Sequence, residues 1–403
     1  MVGIGSLLLI AVVLADAFES VVLPRRVDHR LRFSRSVVRG LWEIWSRVAG
    51  VLAGRERPGA VFRATFLGSF GPFALLTLFA TWAISLVVGF AGLHWAAQSQ
   101  VAGDTGGGFG RVLYFSGTTF FTLGLGDLAP VTALGRVLTV VEAGTGFAFL
   151  ALVIGYTPVF YQAFSARESS IALLDARAGS PPSAAELLRR LAAASRPVQY
   201  EAFLGEWERW SAQLLENTLS YPILAYYRSQ HERQSWVAAL TTVLDACALT
   251  LTGIQDVPTH QARLTFAMAR HTAVDLTQAI AVEPRPLPTD RLAPTDLARL
   301  RAALGAGGLR LSEGDEADRT LSGLRRLYEP HVHALAHFLG EALPPWIAPP
   351  GEVDDWLESE ADRAAAQSDP VTATRLQRDV RFPARGATDG AEASMERVTP
   401  AEG

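Results

Sequence analysis

The chain has 403 residues, of which 36 are lysine or arginine and 40 are acidic, so its formal net charge at pH 7 is −4. Hydrophobic residues make up 49% of it, which is high for a soluble protein. The single cysteine, Cys247, excludes an intrachain disulfide and a cysteine-rich metal site, and the mild net charge gives no sign of a nucleic-acid partner.

The first predicted element is an apolar run, Val2–Leu23, interrupted by Asp16 and Glu19. It is long enough to cross a bilayer, which takes roughly 20 apolar residues. A signal peptide is the alternative, but no positive region precedes the run and no small-x-small cleavage site stands out. We therefore predict a transmembrane helix over residues 1–24, with its two acids paired with nearby arginines or exposed at the headgroups.

A basic segment follows at residues 25–66, and part of it has the pattern of an amphipathic helix. Its apolar stripe consists of Val38, Leu41, Ile44, Trp45, Val48 and Leu52. The arginines before and beside this stripe are Arg25, Arg26, Arg30, Arg32, Arg35 and Arg39. A voltage sensor is excluded, because a sensor needs its arginines inside an apolar membrane-spanning helix. We predict a helix on the cytoplasmic membrane surface, with the N-terminus of the chain outside.

Residues 67–165 contain two further apolar segments, Gly71–Trp95 and Leu134–Phe160, each long enough to cross a bilayer. Between them lie a glycine-rich loop, a short apolar helix at Arg111–Phe121, and the run Thr-Leu-Gly-Leu-Gly-Asp at residues 122–127. Because glycine accepts positive φ without a steric cost, a Gly-x-Gly run can hold successive carbonyls on one side of the chain. Four such runs around an axis form rings of oxygens that replace the water around a cation.

The run and its setting resemble the pore module of potassium channels, whose selectivity filter usually reads Thr-Val-Gly-Tyr-Gly-Asp. The resemblance covers roughly residues 64–165. It implies an all-α membrane protein that forms a homotetramer in a lipid bilayer, with K⁺ as the permeant ion and no cofactor. The implied K⁺ ligands are Thr122, Leu123, Gly124, Leu125 and Gly126. Asp127 either concentrates cations at the outer mouth or braces the filter from behind.

Support of the filter departs from the family pattern at two positions. Leu125 stands where tyrosine is usual, so the hydroxyl that normally bonds the pore helix is missing. Thr118 stands where some relatives carry a glutamate behind the filter, and is a possible filter support. Glu142, an ionisable group inside a predicted span, is either functional or, as we favour, hydrogen-bonds behind the filter. We expect potassium selectivity, with a weakly selective monovalent cation channel as the alternative.

The inner helix carries the residues predicted to bend and close the pore. Gly146 matches the hinge glycine of the family by its spacing from the filter, whereas Gly144 fits small-residue packing between helices equally well. Pro158, Phe160 and Tyr161 fall where the inner helices of a tetramer would converge. We predict a hydrophobic gate there.

Beyond residue 165 the pattern becomes helical and soluble. We predict a helical cytoplasmic domain at 166–363 and a disordered tail at 364–403, where Ala, Gly, Asp and Thr mix without periodicity. The segment Trp236–Ile254 is apolar enough to span a membrane, but an aspartate and several threonines argue against it. His333 and His337 share a helix face, yet two ligands do not complete a zinc site.

The pattern as a whole predicts a passive channel and not an enzyme, because no Gly-x-Gly-x-x-Gly unit follows a strand and no catalytic Ser/His/Asp or kinase arrangement is present. The segment Asp16–Arg26 resembles the start of a set of bacterial two-helix-pore channels, which implies a bacterial plasma membrane. A second class stays open. A cytoplasmic region larger than the pore also fits a membrane-tethered signalling or scaffold protein with a vestigial pore.

Overall fold

A computed structural model describes residues 1–21, 33–52, 57–99, 101–102, 108–191, 197–229 and 234–348. Most of this part of the chain is α-helical, in agreement with the predicted all-α membrane protein. The chain divides into two units. Unit 1 comprises Met1–Ala166 and Glu216–Arg228, and unit 2 comprises Arg167–Leu215 and Ser229–Gly403.

Unit 1 contains the segment predicted to be a pore module. Its helices are α1 (Val2–Val21), α2 (Phe33–Leu52), α3 (Arg57–Gly68), α4 (Phe70–Ala96), α5 (Phe109–Phe120) and the first part of α6 (Ala133–Ala178). Two short strands, β1 (Val101–Ala102) and β2 (Ala129–Pro130), pair antiparallel. The predicted outer helix, pore helix and inner helix correspond to α4, α5 and α6. However, α6 continues past Phe160 to Ala178, because Pro158 is accommodated inside the helix instead of ending it.

Within the described residues, four segments are long and apolar enough to cross a membrane: Val2–Ser20, Phe62–Ala96, Ala133–Ala178 and Trp236–Gly253. The last of them differs from the inner helix in its surroundings. In its most apolar window 83% of the residues are buried, against 11% in the window of α6. The burial of Trp236–Gly253 fits the core of a helical domain, which is also the interpretation that its polar residues favour. The apolar side chains of α6 are mostly exposed in a single chain.

Close packing of α1 on α4 depends on small residues. A β-carbon at Gly89 would lie 2.6 Å from the side chain of Ile10, and one at Gly92 would lie 2.1 Å from that of Ser6. Asp16 on α1 is buried and accepts hydrogen bonds from Trp82 Nε1 at 2.9 Å and from the Ser34 backbone N–H. The expectation that Asp16 is exposed at the headgroups is therefore wrong, because its buried carboxylate is bonded by a tryptophan and a serine. Its pairing with the arginines at 25–32 stays a prediction, since these lie outside the described residues.

Helix α2 has two apolar faces where the sequence suggested one stripe. Val38 and Trp42 are buried, and the Trp42 ring meets Phe70 edge-on at 4.8 Å. Ile44 and Val48, also in the predicted stripe, are exposed. The protein thus covers Val38 of the predicted stripe and leaves Ile44 and Val48 of the same stripe uncovered. Arg25, Arg26, Arg30, Arg32 and the predicted tail at 364–403 lie outside the described residues.

The segment Glu216–Arg228 belongs to unit 1, although the sequence placed it inside the cytoplasmic domain. It includes a short 3₁₀ helix, Pro222–Tyr226, whose last ring packs 5.5 Å from that of Phe70. Gly71 leaves room for the ring of Tyr227, which a β-carbon there would approach to 2.4 Å. Aromatic residues far apart in sequence therefore pack this segment against the N-terminal end of α4.

Unit 2 is built around α9 (Trp236–Gly253). Its other helices are the last part of α6, α7 (Ala184–Leu191), most of α8 (Pro197–Ser220), α10 (His260–Ala279), α11 (Pro294–Ala306), α12 (Asp315–Arg326) and α13 (Glu329–Leu339). Asp245 in the middle of α9 is fully buried and forms a 2.7 Å salt bridge with Arg291. The Tyr328 hydroxyl donates a further hydrogen bond to Asp245. This pairing satisfies the aspartate that argued against a membrane span.

The two candidate zinc ligands have protein partners instead. His333 Nδ1 lies 3.1 Å from the Arg285 carbonyl oxygen, and His337 Nε2 lies 2.8 Å from Arg285 Nη1. Within the described residues no group of three or more His, Cys, Asp or Glu side chains is placed to hold a metal ion.

Candidate ion-conduction site

The first part of the candidate filter is tied to the end of the pore helix α5 by backbone hydrogen bonds. Leu123 N–H donates to the Thr118 carbonyl oxygen at 2.8 Å, and Thr122 N–H donates to that of Thr119 at 3.0 Å. The Thr118 hydroxyl donates to the Phe115 carbonyl within the helix. Thr118, predicted as a filter support, therefore contacts the filter through its main-chain oxygen. These bonds also satisfy carbonyls that a helix end leaves open.

The backbone of the filter alternates in conformation. Thr122, Gly124 and Gly126 have positive φ values of 55°, 54° and 80°, and the intervening Leu123 and Leu125 do not. Alternating left- and right-handed residues turn successive carbonyls toward one side of the chain, as glycine at every second position allows. The sequence predicted this role for the glycines but not for Thr122. A non-glycine residue in this region costs roughly 1–2 kcal/mol, so its hydrogen bonds must hold it there.

The filter is uncovered by its own chain. Residues 122–127 are all exposed, and Leu123 and Leu125 are each 62% exposed. Large apolar side chains next to a folded helix are normally buried on one side. The exposed backbone and leucines therefore form a surface that a single copy of the chain leaves open.

The Tyr114 hydroxyl of α5 lies near the Asp127 carboxylate at the outer end of the filter and interacts with it. The carboxylate is exposed, and both predicted roles of Asp127 stay predictions. Sequence reasoning missed Tyr114. The signal was available, since a tyrosine in the pore helix is the kind of donor that could replace the hydroxyl absent at Leu125.

Glu142 on α6 lies at a meeting point of three helices. It is fully buried, as are His94 on α4 and Ser116 on α5. His94 Nε2 lies 3.2 Å from Glu142 Oε2, and Ser116 Oγ is within hydrogen-bond distance of Glu142 Oε1. Sequence reasoning named Glu142 but missed both partners. His94 could have been found by the same rule, because it is also an ionisable residue in an apolar span.

The sequence suggested a hinge at Gly146 and close helix packing at Gly144, but in the structure it is Gly146 that packs closely. A β-carbon at Gly146 would lie 1.9 Å from the Phe120 carbonyl oxygen, whereas one at Gly144 would have no neighbour within 4 Å. Close packing on the pore helix thus explains the glycine at 146, and α6 is helical through it. The hinge at Gly146 stays a prediction.

The predicted gate residues face different ways. Phe160 is 2% exposed, and its ring lies 4.9 Å from that of Tyr227 and 5.9 Å from that of Tyr156. The ring of Phe160 is thus covered by its own chain, and a constriction at Phe160 stays a prediction. Tyr161 is 59% exposed and Pro158 is also exposed. Neighbouring residues lie about 100° apart around a helix, so 160 and 161 cannot share one face.

Residues 73–163 match the model of a protein family described as "Ion channel". The match supports an ion-channel pore. It covers most of α4, the whole of α5, the filter, and α6 as far as the aromatic cluster around Phe160. Together with the apolar helices it indicates a membrane protein and supports a passive ion channel. None of the curated proteins or solved structures compared with the chain matches it.

Proposed function

We propose that the chain is a passive potassium channel, assembled as a homotetramer with residues 122–126 at the four-fold axis. The alternating φ values at Thr122, Gly124 and Gly126 carry this proposal. They turn main-chain oxygens to one side of an exposed segment, where one chain supplies a quarter of each oxygen ring. Four copies complete the rings that replace the hydration shell of K⁺.

The surface of α6 supports assembly in a membrane. Its exposed large apolar side chains in this region are Val137, Val140, Val141, Phe147, Leu150 and Ile154. A helix exposing so many apolar side chains is stable only against lipid or neighbouring helices. Packing of copies around an axis covers part of this surface together with the filter, and lipid covers the rest.

The topology that we propose places α2 on the cytoplasmic surface of a bacterial plasma membrane. Its exposed Ile44, Val48 and Val51 form a lipid-facing row, while Glu43 lies 3.8 Å from both Arg39 and Arg47 on the charged side. Such a division is typical of a helix in the membrane interface. The N-terminus is then outside, and unit 2 is cytoplasmic.

Potassium selectivity is the finer part of the proposal. Leu125 has no hydroxyl, but the filter has other restraints in the Thr118 carbonyl and in the interaction of Tyr114 with Asp127. These hold the two ends of the filter without a tyrosine inside it. A filter less firmly held would lead to the alternative, a weakly selective monovalent cation channel.

Flux from purified protein in liposomes tests the proposal. A K⁺ gradient should drive flux through the unmodified chain, and Gly124→Ala should abolish it because alanine is strained at a φ of 54°. Gly323→Ala, on α12 with open space around it, is the matched control and should conduct normally. Equal permeability to K⁺ and Na⁺ would refute selectivity. Absence of flux under every condition would favour the scaffold alternative.

A further inference from the structure

The contacts of Ser116 place a constraint on the protons in the buried cluster formed by His94, Ser116 and Glu142. Ser116 Oγ lies 2.8 Å from the Val87 carbonyl oxygen and also within hydrogen-bond distance of Glu142 Oε1. A hydroxyl has one hydrogen to donate, and a carbonyl oxygen only accepts. When Ser116 donates to Val87, the contact with Glu142 is a hydrogen bond only if the carboxyl group carries a proton and donates it.

His94 gives a second, independent constraint. Its ring is fully buried, faces the Phe115 ring edge-on at 5.2 Å, and has no hydrogen-bond partner at Nδ1 among the described residues. An ionised Glu142 in this site would need His94 as its positive partner. A protonated histidine carries N–H on both nitrogens, so Nδ1–H would be a buried unpaired donor on a charged ring, which is costly. A neutral ring with its hydrogen on Nε2 avoids this cost and donates to Glu142 Oε2.

We propose that Glu142 is a protonated, uncharged carboxylic acid that donates to Ser116 and accepts from neutral His94, and that this cluster positions the pore helix under the filter. The link to the filter is short. Ser116 precedes by two residues Thr118, whose carbonyl oxygen accepts the N–H of Leu123. Glu142 is thus a positioning residue. Its effect on ion flow rests on the proposed channel function, whereas its protonation state does not.

Two substitutions in the full-length protein separate a neutral cluster from an ion pair. Glu142→Gln keeps one donor for Ser116 and one acceptor for His94, so K⁺ flux should stay within about twofold of the unmodified protein. Glu142→Ala leaves His94 without its hydrogen-bond partner and Ser116 with Val87 alone, and should lower the flux by roughly tenfold. If Glu142→Gln is as damaging as Glu142→Ala, Glu142 acts as a charge and the proposal is overturned.

The infrared spectrum of the purified protein at pH 7 measures the protonation state without any need for conduction. The proposal requires a protonated-carboxyl stretch that disappears in Glu142→Gln and persists in Glu206→Gln, which removes an exposed carboxylate. If no protonated-carboxyl band depends on Glu142, the proposal is overturned. A protein that shows the band but conducts no ions would refute the channel function alone, so the two failures are distinguishable.

Discussion

Gly146 on the inner helix packs so closely against the Phe120 carbonyl at the end of the pore helix that a β-carbon would come within 1.9 Å of the oxygen. The helix that lines the proposed pathway and the helix that holds the filter are therefore in backbone contact. Any movement of the inner helix at this level has to shift the end of the pore helix, or break this contact.

Gly146→Ala should destabilise the membrane unit. The added methyl group has to displace main-chain atoms, which costs about 1–3 kcal/mol or more in a packed interior. Gly144→Ala, two residues away with open space, is the matched control. Thermal unfolding in detergent should show a clear drop in the midpoint for Gly146→Ala only. Equal midpoints for both variants would mean that the close contact is absent in the assembled protein.

Phe160→Ala and Tyr161→Ala should have different effects although the residues are adjacent. Removing the buried Phe160 ring leaves a cavity beside Tyr227 and Tyr156, with an expected loss of about 3–5 kcal/mol. Removing the exposed Tyr161 should leave the unfolding midpoint unchanged and raise the open probability in single-channel recordings. A change of gating in Phe160→Ala without loss of stability would restore Phe160 to the gate.

Tyr114→Phe should loosen the outer end of the filter by removing the hydroxyl that interacts with Asp127. The ratio of K⁺ to Na⁺ permeability should therefore fall. Asp127→Asn should give a similar loss, and the double variant should be no worse than either single one, because both remove the same contact. Fully additive losses in reversal-potential measurements would show that the two residues act separately.

The stability of unit 2 should fall at acid pH through Asp290. Burial alone would raise the pKa of this carboxyl group, but hydrogen bonds from Arg325 and the Leu292 N–H, with the charges of Arg325 and Arg291, hold the pKa below its usual value. A lowered folded-state pKa contributes stability that is present above the unfolded pKa of about 3.9 and is lost as pH falls through the folded value.

Asp290→Asn in the full-length protein should therefore be less stable than the unmodified chain at pH 7, and the difference should shrink as the pH drops below about 4. Trp346 reports the transition by fluorescence, because it lies beside Arg325 with 5.6 Å between the guanidinium carbon and the ring centre. If the difference in stability stays constant across this pH range, the charge of Asp290 does not contribute to the stability of the folded protein.

Local features of the pore could be predicted from sequence. The order of outer helix, pore helix, filter and inner helix follows from apolar length and from glycine spacing, which act within a few residues. The positive φ of Thr122 could not be predicted, because hydrogen bonds to the end of α5 impose it on a residue type that rarely adopts it.

Contacts between distant parts of the chain could not be predicted from the sequence, for a different reason. His94 and Glu142 are 48 residues apart, and Ser116 and Glu142 are 26 apart, so no spacing rule links them. The same holds for Tyr227 and Phe160, whose contact turns a predicted gate residue toward its own chain. In each case tertiary packing decides which way a side chain faces.

Single-particle electron microscopy of the assembled protein in K⁺ is the decisive test of a carbonyl-lined filter at a four-fold axis. We expect four copies around one axis, with ion density between main-chain oxygens of residues 122–126 and the two leucines of each filter directed away from the axis. Particles of another symmetry, or a pathway lined by other residues, would contradict it.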